Sequence, residues 1–171
     1  MKMINTVILL LISVLGFSQT KLDSLVLSKI NSYRVSKGLD VVKFSTIDFN
    51  AANHHSKYLS GKDYISHAED KLTTPMDRYK FFGGSIGSGE FVSIGENVLS
   101  YNLNVKDNEI PLDEVSTELV DMWKKSEKHN EILLTKEYKF AGVSCVTRSN
   151  ETGIKGWKNI EIVSTFVATS K

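Results

Sequence analysis

Hydrophobic positions recur at helical spacing at Leu22, Leu25, Val26, Ile30 and Tyr33, and Lys37 with Gly38 then ends the stripe with a cation and a helix-terminating glycine. The spacing predicts an amphipathic first helix. Ser45 with Asp48 three residues on reads as a capping box opening a second helix, which carries Ile47, Ala51, His55, Tyr58 and Leu59 and stops near Gly61. Thr74 before Pro75 starts a short third helix that runs to Gly83 and Gly84. The stretch 91–100, FVSIGENVLS, alternates as a strand does, yet it puts Glu96 in phase with Val92, Ile94 and Val98. An ionised carboxylate on an apolar face is costly unless paired, so Glu96 either sits at a wet rim or has partners.

A polar segment, 101–109, leads to Pro111 and a helix with Leu112, Val115, Leu119, Met122 and Trp123 along one face, Trp123 belonging to the core. The runs FAGVSCVT (140–147) and WKNIEIVSTFVA (157–168) read as strands joined by the turn-forming RSNETG, a closing hairpin. Three strands flanked by helices predict an α-β-α sandwich around a central antiparallel sheet, in preference to βαβ winding.

Composition adds bounds to this picture. With 171 residues, 41% hydrophobic and 24% charged, the chain can fill one ordinary domain core. Lys plus Arg number 21 against 20 Asp plus Glu, so no basic field argues for nucleic acid or an anionic membrane as partner. The segment 1–18 combines Lys2, an apolar run and the small residues Gly16 and Ser18, the pattern of a secretory signal peptide ahead of a domain over 22–171. Its apolar run is short of the roughly 20 residues a membrane span needs, so a secreted or periplasmic protein without a transmembrane anchor is expected. The single cysteine, Cys145, excludes an intramolecular disulfide, and stability has to come from packing.

Four histidines, His54, His55, His67 and His129, make up the list of imidazole donors. His54 and His55 are adjacent on a predicted helix and diverge by about 100°, which gives His55 a packing role and His54 an exposed one. His67 lies in a loop, YISHAED, where function concentrates. Ser126 and His129 share a face if their segment is helical, but this spacing alone does not make the oriented nucleophile–base pair that hydrolysis requires. HExxH, CxxC and phosphate-loop patterns are missing, and no GxSxG elbow marks Ser126 as a nucleophile.

The order of short motifs is more informative than any one of them. NSYRVSKGL at 31–39, ANHHSKYLS, Ser66-His67, TPMDR, the GEN of Gly95, Glu96 and Asn97, a Trp123/Ser126/His129 run ending in Ile132-Leu133, FAGVSC and a last strand with Phe166 follow one another. This order resembles the SCP/CAP superfamily, named for cysteine-rich secretory proteins, antigen 5 and plant pathogenesis-related proteins, and is most similar to its bacterial branch, over about 22–168.

The resemblance implies an α-β-α sandwich opening onto a cleft lined by two histidines and acidic residues. It places His67 and His129 as the cleft histidines, Glu96 as the acid and Asn97 as a supporting amide beside Trp123. Ser126 stands where animal and plant members usually carry a second glutamate. Two imidazoles and one carboxylate are the donor types of a Zn²⁺ site, so His67, Glu96 and His129 are candidate metal ligands, with weak affinity expected from the missing acid. The function implied is a secreted, monomeric binding module for an extracellular lipid, glycan or divalent metal. A metal-assisted extracellular hydrolase of peptide or glycan is the alternative, and an adhesion protein a third reading.

Overall fold

The computed structural model describes residues 19–171, so the predicted signal segment 1–18 lies outside the described residues. Each of the first three helices begins at a hydroxyl cap. Helix α1 (Lys21–Ser36) is opened by Thr20, whose Oγ1 accepts from the Asp23 N–H at 3.2 Å while Asp23 Oδ2 accepts from the Thr20 N–H at 2.7 Å. It closes at Lys37 and at Gly38, whose φ of 74° favours glycine. Helix α3 (Pro75–Phe81) has the same reciprocal box between Thr74 and Asp77, with Pro75 in its first turn.

Helix α2 (Thr46–Leu59) forms only half of the expected box. Ser45 accepts from the Asp48 N–H at 3.2 Å, but Asp48 Oδ2 takes its hydrogen bond from the Thr169 hydroxyl at 3.0 Å. A partner across the sheet wins over the local one. Two further helices, α4 (Leu112–Lys125) and α5 (Glu127–Leu133), are separated by Ser126, whose extended backbone breaks what would otherwise be one helix.

Four strands form one sheet in the order β1-β3-β4-β2: β1 (Lys43–Phe44), β2 (Ile94–Lys106), β3 (Phe140–Glu151) and β4 (Trp157–Thr169). The long pairs β2·β4 and β3·β4 are antiparallel, as expected, but β1 runs parallel to β3, so the sheet is mixed. Two residues just ahead of the α2 cap are too few to show a strand period, and they are held by Lys43 N–H to Lys139 O and Ser45 N–H to Ala141 O.

The expected polar segment after Ser100 is also corrected. Strand β2 continues to Lys106 because β4 offers it a partner throughout, from Tyr101 opposite Ile162 to Lys106 opposite Trp157. Tyr101, Leu103 and Val105 alternate onto the core face, and the turn comes only at Asp107 and Asn108, both with positive φ.

Strand alternation divides the interior into two layers. Val143, Cys145, Ile162, Phe166 and Leu99 face α1 and α4, with Trp123 fully buried and its ring centroid 6.2 Å from that of Phe166. On the opposite face Val98 and Val163 pack on Leu59, and Val167 packs on Ala51 and Ala52 of α2. Helices on both faces of the sheet make the α-β-α sandwich. Gly142 lets α2 lie directly on β3, since a Cβ there would collide with the Phe49 backbone.

Candidate functional site

Neighbouring residues of β2 point to opposite layers, and the GEN stretch uses both. Glu96 falls on the α2 side with Ile94 and Val98, whereas Asn97 faces α5 and donates from Nδ2 to the His129 carbonyl at 2.9 Å. Gly95 makes room for the α5 side of this arrangement, because a Cβ would meet the Tyr138 hydroxyl and Ile132. One short strand segment therefore fixes the acid directly and the second histidine through its backbone.

Glu96 does have partners. Its side chain is 1% exposed; Oε1 lies 2.9 Å from His67 Nδ1 and 3.6 Å from His55 Nε2, and Oε2 accepts from Arg78 Nη2 at 2.6 Å. Arg78 is fully buried and also donates to the carbonyls of Leu72 and His67, so the guanidinium ties α3, the 66–72 loop and β2 together. A second buried carboxylate, Glu69, lies 3.5 Å from Arg78 Nη1 and accepts from His55 Nδ1 at 2.7 Å.

His55 is enclosed by acceptors. Its Nδ1 faces Glu69 and its Nε2 lies 2.8 Å from the Ser66 carbonyl oxygen, so both ring nitrogens have a buried polar partner. Arg78, Glu69, Glu96 and His55 thus form one connected buried cluster, whose cost of burial is met only while every member is present.

The adjacent pair His54 and His55 diverges as the helical geometry requires, yet both rings end on one residue: His54 Nδ1 is 3.1 Å from Glu69 Oε2. His54 is thus half-exposed and paired, a correction to the simple exposure expected for it. The packing role expected for His55 is what its full burial and hydrogen bonds provide.

His67 is the open end of the cluster, with its side chain 58% exposed. His129 is half-buried on α5, and burial, with the nearby His67 as a second cause, holds it below the usual histidine range. Ser126 caps α5 without a side-chain cap hydrogen bond. The helix break at this residue removes the shared helical face on which a Ser126–His129 dyad would depend. Trp123, near the end of α4, is fully buried with its ring against Phe166.

The donor set does not fit a three-ligand Zn²⁺ centre. Both Glu96 oxygens are already engaged, one by a guanidinium that a dication would have to approach, and among the described residues no group of three His, Cys, Asp or Glu is placed to hold a metal ion. What the arrangement offers is the exposed imidazole of His67 at the end of a buried hydrogen-bonded cluster, with His129 nearby on α5.

Arg78, Glu69 and His55 were not singled out for this site by sequence reasoning. Arg78 had a visible signal: a carboxylate in phase with an apolar face needs a cation, and Arg78 is the arginine of the short α3 that ends beside the β2 segment.

With the sandwich and the position of the GEN residues established, comparison with known families decides the identity. The model of the CAP family, described as the cysteine-rich secretory protein family, matches residues 27–166. The chain belongs to the CAP family. Among solved structures, an extracellular protein containing a SCP domain from Bacillus anthracis superposes with a TM-score of 0.57 at 19% identity, covering 83% of this chain and 40% of that one. An outer surface protein from Borrelia burgdorferi gives 0.55 at 19% identity, covering 88% of this CAP chain and 95% of its own. At such identities the likeness concerns the fold, and the chain spans well under half of the Bacillus protein. A search of curated proteins finds no match. Among the described residues of this CAP domain no helix is long and apolar enough to cross a membrane.

Proposed function

We propose that this CAP domain is an exported binding module that takes an extracellular ligand at the cleft bounded by His67 and His129 and floored by Glu96. The observation that carries this reading is the commitment of Glu96. A general base must have a carboxylate oxygen free to reach a reacting proton, and here one oxygen is held by Arg78 and the other by His67. The arrangement supports recognition over turnover, with lipid, glycan and divalent cation as the ligand classes. Export is supported by the pattern of segment 1–18 and by the extracellular and outer-surface descriptions of the two structural neighbours.

Weak Zn²⁺ binding by His67 and His129 alone is the second reading. It is favoured by the depressed His129, because only a neutral imidazole can coordinate. Calorimetric titration with Zn²⁺, run beside a peptide- and glycan-hydrolysis screen, tests both. The expected result is no turnover, with Zn²⁺ affinity lowered in His67→Ala and His129→Ala and unchanged in Glu96→Gln. Turnover that disappears in Ser126→Ala or His129→Ala would replace the binding module with a hydrolase. Affinity lost in Glu96→Gln, with folding intact, would restore the three-ligand site.

A further inference from the structure

Helix α2 ends at Leu59 and covers only part of its face of the sheet, while β3, β4 and β2 run on beyond it. On the uncovered part the alternating residues line up in rows across the strands. Asn150, Asn159 and Asn104 are register partners in one row, and Arg148, Glu161 and Asn102 in the next. Asn102, Asn104, Arg148 and Asn150 are exposed. Side chains of the rows are held in place: Asn159 Nδ2 donates to Asn104 Oδ1 at 3.2 Å, Ser100 Oγ donates to Glu161 Oε1 at 3.0 Å, and Arg148 Nη1 donates to the Ser60 carbonyl at 3.2 Å. Beside them a cavity of about 310 Å³ is walled by Tyr64, Ile65, Ser100 and Asn102.

We propose that this open sheet face is a second binding site, for a neutral, extended oligosaccharide lying across the strands. Its chemistry points to hydroxyl-rich, uncharged ligands. Each asparagine amide brings two N–H donors and a carbonyl acceptor, more than its contacts within the rows consume. The ionic groups of the rows are one arginine and one glutamate, and the cavity adds Lys62 and Asp63, so neither sign dominates. An anionic polymer would meet no net positive field, and an apolar protein surface would find no hydrophobic centre in the two rows.

Spacing agrees with this occupant. Partners in a row lie about 4.8 Å apart from strand to strand, close to the length of one pyranose unit, so successive sugars can meet successive amides. Flat apolar surfaces are present at both margins. Trp157, on the same face by alternation and 40% exposed, follows the asparagine row, and Tyr64, 53% exposed, borders the cavity. Such rings can stack on the C–H face of a sugar while their polar atoms stay wet. The face begins six residues along β2 from Glu96, about 20 Å at 3.3 Å per residue, so it is distinct from the histidine cleft.

The test is a fluorescence titration of the protein with four neutral hexasaccharides: cello-, chito-, manno- and xylohexaose. Of the two tryptophans Trp123 is buried, so a ligand-dependent blue shift reports Trp157. At least one sugar should bind saturably, Trp157→Ala should lose the binding seen by calorimetry, and Asn104→Ala or Asn159→Ala should each weaken it about fivefold, the loss of one hydrogen bond. Phe81→Ala, an exposed aromatic elsewhere, should bind as wild type does. The proposal fails if none of the four sugars saturates below about 10 mM, or if calorimetric affinity is unchanged in Trp157→Ala and both asparagine variants.

Discussion

Asp48 is a buried acid that no cation among the described residues offsets, and replacing it with asparagine should change how stability depends on pH. Its Oδ2 accepts one hydrogen bond from Thr169, while Oδ1 is buried without a hydrogen-bond partner. Burial outweighs the bonds from Thr169 and Ser45 and raises the carboxyl from 3.8 to about 7. Between those values the native state holds a proton that the unfolded chain has released, so stability must fall as pH rises through that window and level off above it. At 1.36 kcal/mol per unit the full penalty is about 4 kcal/mol, of which about 3 kcal/mol develops between pH 4.5 and 8. Asp48→Asn cannot ionise. Urea unfolding of both proteins across that range isolates the effect, because other titrating groups cancel in the difference between the two curves. The variant should gain about 3 kcal/mol on wild type from pH 4.5 to 8, or roughly 6–12 °C in Tm for a domain this size. Parallel curves would show that Asp48 is solvated or paired in solution and that the burial argument is wrong.

Two other outcomes follow from buried groups. Arg78→Met should destabilise the domain by about 3–5 kcal/mol in urea, because it strands Glu69 and Glu96 without their cation; adding Glu96→Gln should recover part of the loss, and a strictly additive double variant would mean that the pair is not coupled. Cys145 is buried, and burial followed by the neighbouring Asp23 pushes its thiol up, so it should resist a thiol reagent in native buffer and react fully only in denaturant; rapid native labelling, read by mass spectrometry, would reveal opening of the α1 layer.

The elements were legible where local chemistry decides them. Ser45 and Thr74 mark helix starts because capping is a contact between residues three apart, and the apolar stripe of α4 needs nothing beyond its own spacing. Strand β1 and the far half of β2 depend on partners distant in the chain. The alternation of Tyr101, Leu103 and Val105 was present but diluted by the asparagines between them. The same distinction holds for the site. His67, Glu96, Asn97 and His129 come from recognisable short motifs, whereas the cluster that sets the state of Glu96 draws Arg78 from α3, Glu69 from a loop and His55 from α2. Only tertiary packing brings those three together.

The strand order has a further consequence for how the protein is made. Strand β2 has a single neighbour, β4, which also holds β3 in register, so nothing can seat β2 in the sheet until synthesis has passed Trp157 and most of the strand beyond it. Because closure of such distant contacts is slow and domains emerge from their N-terminal end first, the growing chain has caps and helices but no finished sheet. A polypeptide that stays unlocked until so late remains threadable, as the proposed export would require.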